Sequence, residues 1–172
     1  MRTASILLAL VAALAIQTSI AGLAVGGTTA VNLVLVTVVY VALAFGAVPG
    51  VLAGTVGGLL QDALAGGIIG IGGLAKSLVG FLVGLLGAQF IVSQWLPRFV
   101  MFVGATIVHE LCFQALHALV EARPFRMSLS TVLTQAVVNA LLGILAFWVV
   151  ESGPKMLERR RASRASLSRR RF

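Results

Sequence analysis

The sequence predicts an all-α, polytopic integral membrane protein of six transmembrane helices with a basic cytoplasmic tail. Three observations carry the prediction. The 172-residue chain is 59% hydrophobic and only 10% charged, with mean hydropathy +1.07, too little polar surface for a water-soluble domain. Apolar runs able to cross, or nearly cross, a hydrocarbon core of about 30 Å recur six times between glycine, proline and charge. No strand-like alternation persists in any of them. Residues 1–151 are read as one membrane domain, and residues 152–172 as an unstructured tail.

The first run, residues 4–24, follows Arg2 and is long enough to span. A signal peptide cleaved near Ala13-Leu14-Ala15 is the competing reading, and length favours a retained helix. Gly26-Gly27 break the pattern, and a second helix follows over 28–48 with Asn32, Thr37 and Tyr40 as its polar marks. Pro49-Gly50 are expected to end it and to start a third helix over 51–65, short for a full crossing. Gly66, Gly67 and Gly70 make a turn. A fourth helix runs over 71–94 and ends at Trp95, a side chain suited to the interface. Pro97 suits the start of a fifth helix over 99–120. Glu121, Arg123, Pro124 and Arg126 form the longest internal loop. Ser128 or Ser130 caps a sixth helix over 129–150, which ends near Trp148 and Gly153-Pro154.

Charge sets the orientation. Of the net +8, most lies in the tail, where Lys155, Arg159, Arg160, Arg161, Arg164, Arg169, Arg170 and Arg171 face only Glu158. With six spans both ends share one side, and the bias of basic residues makes it the cytoplasm. The tail arginines are suited to anionic lipid headgroups, each worth about 1 kcal/mol near the surface. No aromatic platform accompanies them, which argues against nucleic acid. The single cysteine, Cys112, forms no internal disulfide.

The stretch 49–89 is the most informative. Gly50, Gly54 and Gly58 recur at spacing four and lead to Asp62; Lys76, Gly80, Gly84 and Ala88 repeat the spacing after the turn. Residues four apart stack on one helix face. In water each interior glycine weakens a helix by about 1 kcal/mol, whereas in a bilayer such ladders let two backbones approach closely. A tight hairpin follows, with Asp62 and Lys76 expected to meet near one surface. The ladders either close on each other or receive a partner helix.

Glu110 falls at mid-span of the fifth helix, with Gln114 and His117 on its face and His109 expected on another. The stripe reads either as a proton or small-solute site or as a structural hydrogen-bond cluster with Glu110 buried and uncharged. Thr131, Gln135, Asn139 and Gly143 recur at spacing four on the sixth helix, facing either the interior or another subunit. No nucleophile–base set, no HExxH and no Cys/His cluster appears, so neither a catalytic centre, a metal site nor a cofactor is expected.

Several of these residues also form a pattern. Asn32-Leu33-Val34-Leu35, Tyr40-Val41-Ala42-Leu43, Gly58-Leu59-Leu60-Gln61-Asp62, Gly66-Gly67, Gly70, Ala75-Lys76 and Gly80, with Gln135-Ala136, Asn139-Ala140-Leu141 and Phe147-Trp148, resemble the bacterial rod shape-determining MreD family. The likeness runs from the first helix to the sixth. Its most specific part is GLLQD…GG…G…AK; at Asn32 family members often carry an acidic residue. The resemblance implies a non-enzymatic inner-membrane scaffold of the cell-elongation complex. Its implied partner is an MreC-like single-pass membrane protein. Through it come MreB filaments, the rod-complex glycosyltransferase and a class B penicillin-binding transpeptidase. The six-helix architecture is also similar to S components of vitamin transporters, which gives the alternative of a small-solute binder.

Overall fold

The computed structural model describes residues 2–21, 31–90, 94–122, 124–125 and 128–169. The Gly26-Gly27 break, Arg123, Arg126, Arg170 and Arg171 lie outside the described residues, as do the side chains of Arg159, Arg160, Arg161, Arg164 and Arg169. Six helices follow in order: α1 (Arg2–Ala21), α2 (Leu33–Phe45), α3 (Ala47–Ala65), α4 (Ile71–Gln89), α5 (Trp95–Glu121) and α6 (Leu129–Arg169). No strand occurs among the described residues. Four helical stretches are long and apolar enough to cross a membrane: Ala47–Ala65, Ile71–Gln89, Trp95–Glu121 and Leu129–Ser152. The apolar helices Thr3–Ser19 and Leu33–Phe45 are shorter. The architecture is that of a polytopic membrane protein.

The corner between α2 and α3 differs from the expectation, which ended the second helix at Pro49. Gly46 alone makes the corner, closing α2 and opening α3 at φ +96°, a conformation that favours glycine. Pro49 lies inside the first turn of α3, where a helix has no use for its missing N–H. α3 is therefore longer than expected, 19 residues, and α2 shorter, 13 residues, which at 1.5 Å per residue is about 20 Å. Trp95 likewise opens α5 instead of closing α4, which ends at Gln89. The backbone of α6 continues past Gly153-Pro154, so the division at 151 is one of charge and not of helix.

α2 is the centre. The other five helices all pack against it, and α3 with α4 forms the most extensive pair in the bundle. Its 13 residues alternate between two apolar clusters. Val34, Val38 and Val41 join Leu10 and Leu14 of α1 and Ala53 of α3. Leu35, Val36, Val39 and Ala42 join Val79 and Val83 of α4, Phe102 and Ala105 of α5, and Ala140 and Phe147 of α6. A helix apolar all round is a buried helix, and its β-branched valines are stiff side chains that hold one packing arrangement. At the side of the bundle an apolar groove of about 520 Å³ opens between α1 and the α2–α3 corner, lined by Leu7, Leu10, Phe45 and Leu52 among others.

Candidate functional site: a polar seam inside the bundle

The glycine ladders close on each other. A methyl group on Gly54 would stand 2.5 Å from the Lys76 carbonyl oxygen, one on Gly58 2.5 Å from Gly73 Cα, and one on Gly50 2.6 Å from the Gly80 carbonyl oxygen. From the other side, a methyl on Gly80 would strike the Gly50 backbone and one on Gly84 the Ala47 backbone. The two helices thus touch main chain to main chain, the geometry that small residues at spacing four permit. Ala88 does not continue the ladder: it is exposed, and Gly87 beside it approaches Leu43 of α2 instead.

At the turn end of the hairpin Asp62 is buried, but its partner is not Lys76. Its Oδ2 accepts hydrogen bonds from the amides of Gly70 (2.9 Å), Gly72 (2.9 Å) and Gly73 (3.2 Å). Gly70 is the N-cap of α4 and has no side chain to cap with. Asp62 supplies the missing acceptor from the preceding helix, and its charge suits the positive end of the α4 dipole. Gly72 leaves the room, since a side chain there would collide with the Asp62 carboxylate. In place of the ion pair expected from the sequence stands an anion cap, in which three amides at the start of α4 find their acceptor.

Lys76 is only 2% exposed. Among the described residues its ammonium makes neither a hydrogen bond nor an ion pair. Snorkelling to water, the other expectation for this side chain, is not what the bundle shows.

Across from it on α5, Glu110 meets His109 and not the rest of the expected stripe. His109 Nδ1 lies 3.3 Å from Glu110 Oε1, and the ring stacks on Phe113 with centroids 5.6 Å apart. His109 is 2% exposed, and its Nε2 is buried without a partner. A buried polar atom left so costs about 1–3 kcal/mol. Gln114 and His117 are half-buried, and His117 Nδ1 is directed at the Phe113 carbonyl oxygen at 3.2 Å. The predicted Glu110/Gln114/His117 set is therefore not joined by hydrogen bonds to Glu110. Its neighbour His109, assigned to another face by helical spacing, is the residue that side-chain length brings round.

The sixth helix turns its amides inward. Gln135 and Asn139 are both buried, with Asn139 fully so. Asn139 Oδ1 accepts from the Asn32 amide at 3.0 Å, and its Nδ2 donates to Thr106 Oγ1 at 3.3 Å. Asn32 Oδ1 caps α2 by accepting from the Leu35 amide at 3.0 Å. Gln17 of α1 completes the set, donating to the Val31 carbonyl oxygen (2.8 Å) and accepting from the Leu33 amide (2.7 Å). The first turn of the central helix is thus held by side chains from α1 and α6. Irregular backbone at such depth is tolerated only where protein satisfies it. At the opposite end Arg98 and Glu151 pair at 2.6 Å, and Arg98 lies over the Phe147 ring at 4.3 Å.

Gln17, Thr106 and His109 belong to this seam and were not singled out by spacing. The signal for Gln17 and Thr106 was their polarity inside otherwise apolar runs; His109 was hidden by its nearness to Glu110. Along the chain the seam runs Gln17, Asn32, Asp62, Lys76, Thr106, His109, Glu110, Gln135 and Asn139. Its hydrogen bonds form two sets, one joining α1, α2, α5 and α6 and the other joining α3 to α4, and among the described residues no group of histidine, cysteine and carboxylates stands close enough to hold a metal. No curated protein and no solved structure matches the chain. The family model of the rod shape-determining protein MreD matches residues 2–152. That span covers α1 to α5, the apolar part of α6 and the whole polar seam, and the chain belongs to the MreD family of rod shape-determining membrane proteins.

Proposed function

We propose that this chain is a non-enzymatic scaffold of the cell-elongation complex in the bacterial inner membrane, holding an MreC-like single-pass protein. Through that partner it reaches MreB filaments, the rod-complex glycosyltransferase and a class B penicillin-binding transpeptidase. The family match over residues 2–152 carries the reading. Packing supports it. The close-approach surfaces of α3 and α4 are filled by each other, so the hairpin is a rigid part and partners use outer faces. The groove beside α1 is lined by apolar side chains apart from Thr3, poorly suited to a polar solute. Both termini are placed in the cytoplasm by the bias of basic residues, with the tail arginines against anionic lipid.

The test is co-purification in mild detergent from cells that carry the whole rod complex, with cell shape scored on depletion. The tagged chain is expected to bring down the MreC-like protein, and depletion to round the cells. Recovery of a transporter ATPase instead, with rod shape intact on depletion, would overturn the reading.

A further inference from the structure

The groove beside α1 is a wedge. At its inner end α1 meets α3 closely: a methyl on Gly57 would stand 3.0 Å from Leu10 Cδ2, and Leu10 and Ala53 are only 2% and 3% exposed. Toward the start of both helices the two part, and a space of about 520 Å³ opens among Thr3, Leu7, Phe45, Pro49 and Leu52. Residues 3–10 of α1 and 49–56 of α3 each rise about 10 Å along their axes, against a hydrocarbon core of about 30 Å shared by two leaflets. The wedge thus reaches through most of one leaflet.

Its mouth lies at the basic end of the bundle. Asn32 bonds Asn139, and Tyr40 packs on Phe147 with centroids 4.5 Å apart, so α2 runs the same way as α6 and its Gly46 corner lies toward Glu151. Gln17 bonds the Leu33 amide at the other end of α2, so α1 starts where α2 finishes. Arg2 opens α1, one residue before Thr3 at the mouth. At the same end Arg98 pairs with Glu151, and the tail that follows adds Lys155 and seven arginines against Glu158.

Left empty, such a gap forfeits contacts for every side chain that lines it. A partner helix is about 10–12 Å across with its side chains, too thick to follow a cleft that closes at Leu10. An acyl chain is thin and flexible and follows the taper. Apolar attraction does not select it, because lipid tails are as apolar as leucine; fit and headgroup charge do. We propose that the groove binds an anionic phospholipid of the leaflet at the basic end, with one acyl chain between α1 and α3 and the phosphate beside Arg2. Among the described residues α1 packs on α2 and α3 alone, and the lipid extends that seat. This is one lipid in one place, distinct from the general attraction of the tail to headgroups.

The probe is phosphatidylglycerol with a photoreactive diazirine in its acyl chain. It is added to the full-length protein in phosphatidylcholine nanodiscs, and labelled peptides are read by mass spectrometry. Labelling is expected to concentrate on residues 3–10 and 44–56, and to fall several-fold in Ala44→Trp, which fills the mouth from an exposed position. If Ala44→Trp does not fold, Thr3→Trp fills the mouth from the opposite wall. The same probe with a phosphatidylcholine head is expected to label these residues several-fold less, and Arg2→Gln to narrow the difference. Labelling spread evenly over the outer faces of the bundle, or unchanged by the filling variant, would overturn the site. Equal labelling by the two headgroups would overturn the choice of an anionic lipid, and a difference undiminished in Arg2→Gln the place of its phosphate. Loss of labelling when the MreC-like protein is bound would give the groove to a partner helix instead.

Discussion

At the scale of residues, burial of charge in this protein is solved by main chain as much as by opposite charge. Asp62 takes three amides of the α4 N-terminus on one oxygen. A simple ion pair with Lys76 would make the two substitutions compensate, since removing both partners leaves neither charge alone. The anion cap predicts otherwise. Asp62→Ala strips three amides, two of them buried, of their acceptor and is expected to cost about 1–3 kcal/mol. Lys76→Ala in addition returns none of it, because the amides remain unsatisfied. Thermal unfolding of the purified single and double variants in detergent checks this; recovery toward the wild-type midpoint in the double variant would restore the ion pair as the principal contact. The sequence displayed Asp62 and Lys76 as unusual charges but concealed the cap. The acceptor and its amides lie on opposite sides of the Gly66-Gly67 turn, and Gly70 has no side chain to announce a capping position.

At the scale of elements, glycine spacing was the legible signal and its length was not. Gly50, Gly54, Gly58, Gly80 and Gly84 all face backbone across the hairpin, as the spacing implied. Ala88 falls outside because α3 begins at Ala47, which Gly84 already faces, and beyond it Gly87 meets Leu43 of α2. Not every glycine on these helices has this role. A methyl on Gly104 of α5 meets nothing within 4 Å, whereas one on Gly54 stands 2.5 Å from a carbonyl oxygen. Gly54→Ala is therefore expected to destabilise the hairpin by about 1–3 kcal/mol, the usual cost of overpacking. Gly104→Ala is expected to leave stability unchanged or to raise it, since alanine is the better helix former. The yield of monodisperse protein and its thermal midpoint distinguish the two. Equal behaviour would mean that the α3–α4 backbones move apart freely. The start of α2 was legible only as a polar mark at Asn32. Its position is set by Gln17 and Asn139, 15 residues before it and 107 after, and helix-forming tendency says nothing of partners so distant.

At the scale of the whole molecule, the all-helical membrane class followed from composition, because a chain this apolar has few ways to bury its backbone polar groups; the six helices followed from its six apolar runs, four of which give helices long enough to cross. Which helix sits at the centre did not. α2 is the shortest, and centrality comes from valines that face two clusters at once. Direction is better determined than depth. The Arg98–Glu151 pair joins the start of α5 to the end of the apolar part of α6, while Gly50 against Gly80 and Gly58 against Gly73 make α3 and α4 antiparallel. The Gly46 corner, the start of α5 and the Glu151 level of α6 therefore share one end of the bundle, and the Gly66–Gly70 turn lies at the other. The basic tail emerges at the first of these ends. Its arginines are costly to translocate, and on that asymmetry we propose that this end is cytoplasmic. A reporter joined after Phe172 is accordingly expected to be active only in the format that works in the cytoplasm, and one inserted at Gly67 only in the periplasmic format. Replacing Arg159, Arg160 and Arg161 by glutamine should leave this orientation in place while the other tail cations remain. Periplasmic activity after Phe172 with the native tail present would invert the bundle and place the Asp62–Lys76 end toward the cytoplasm.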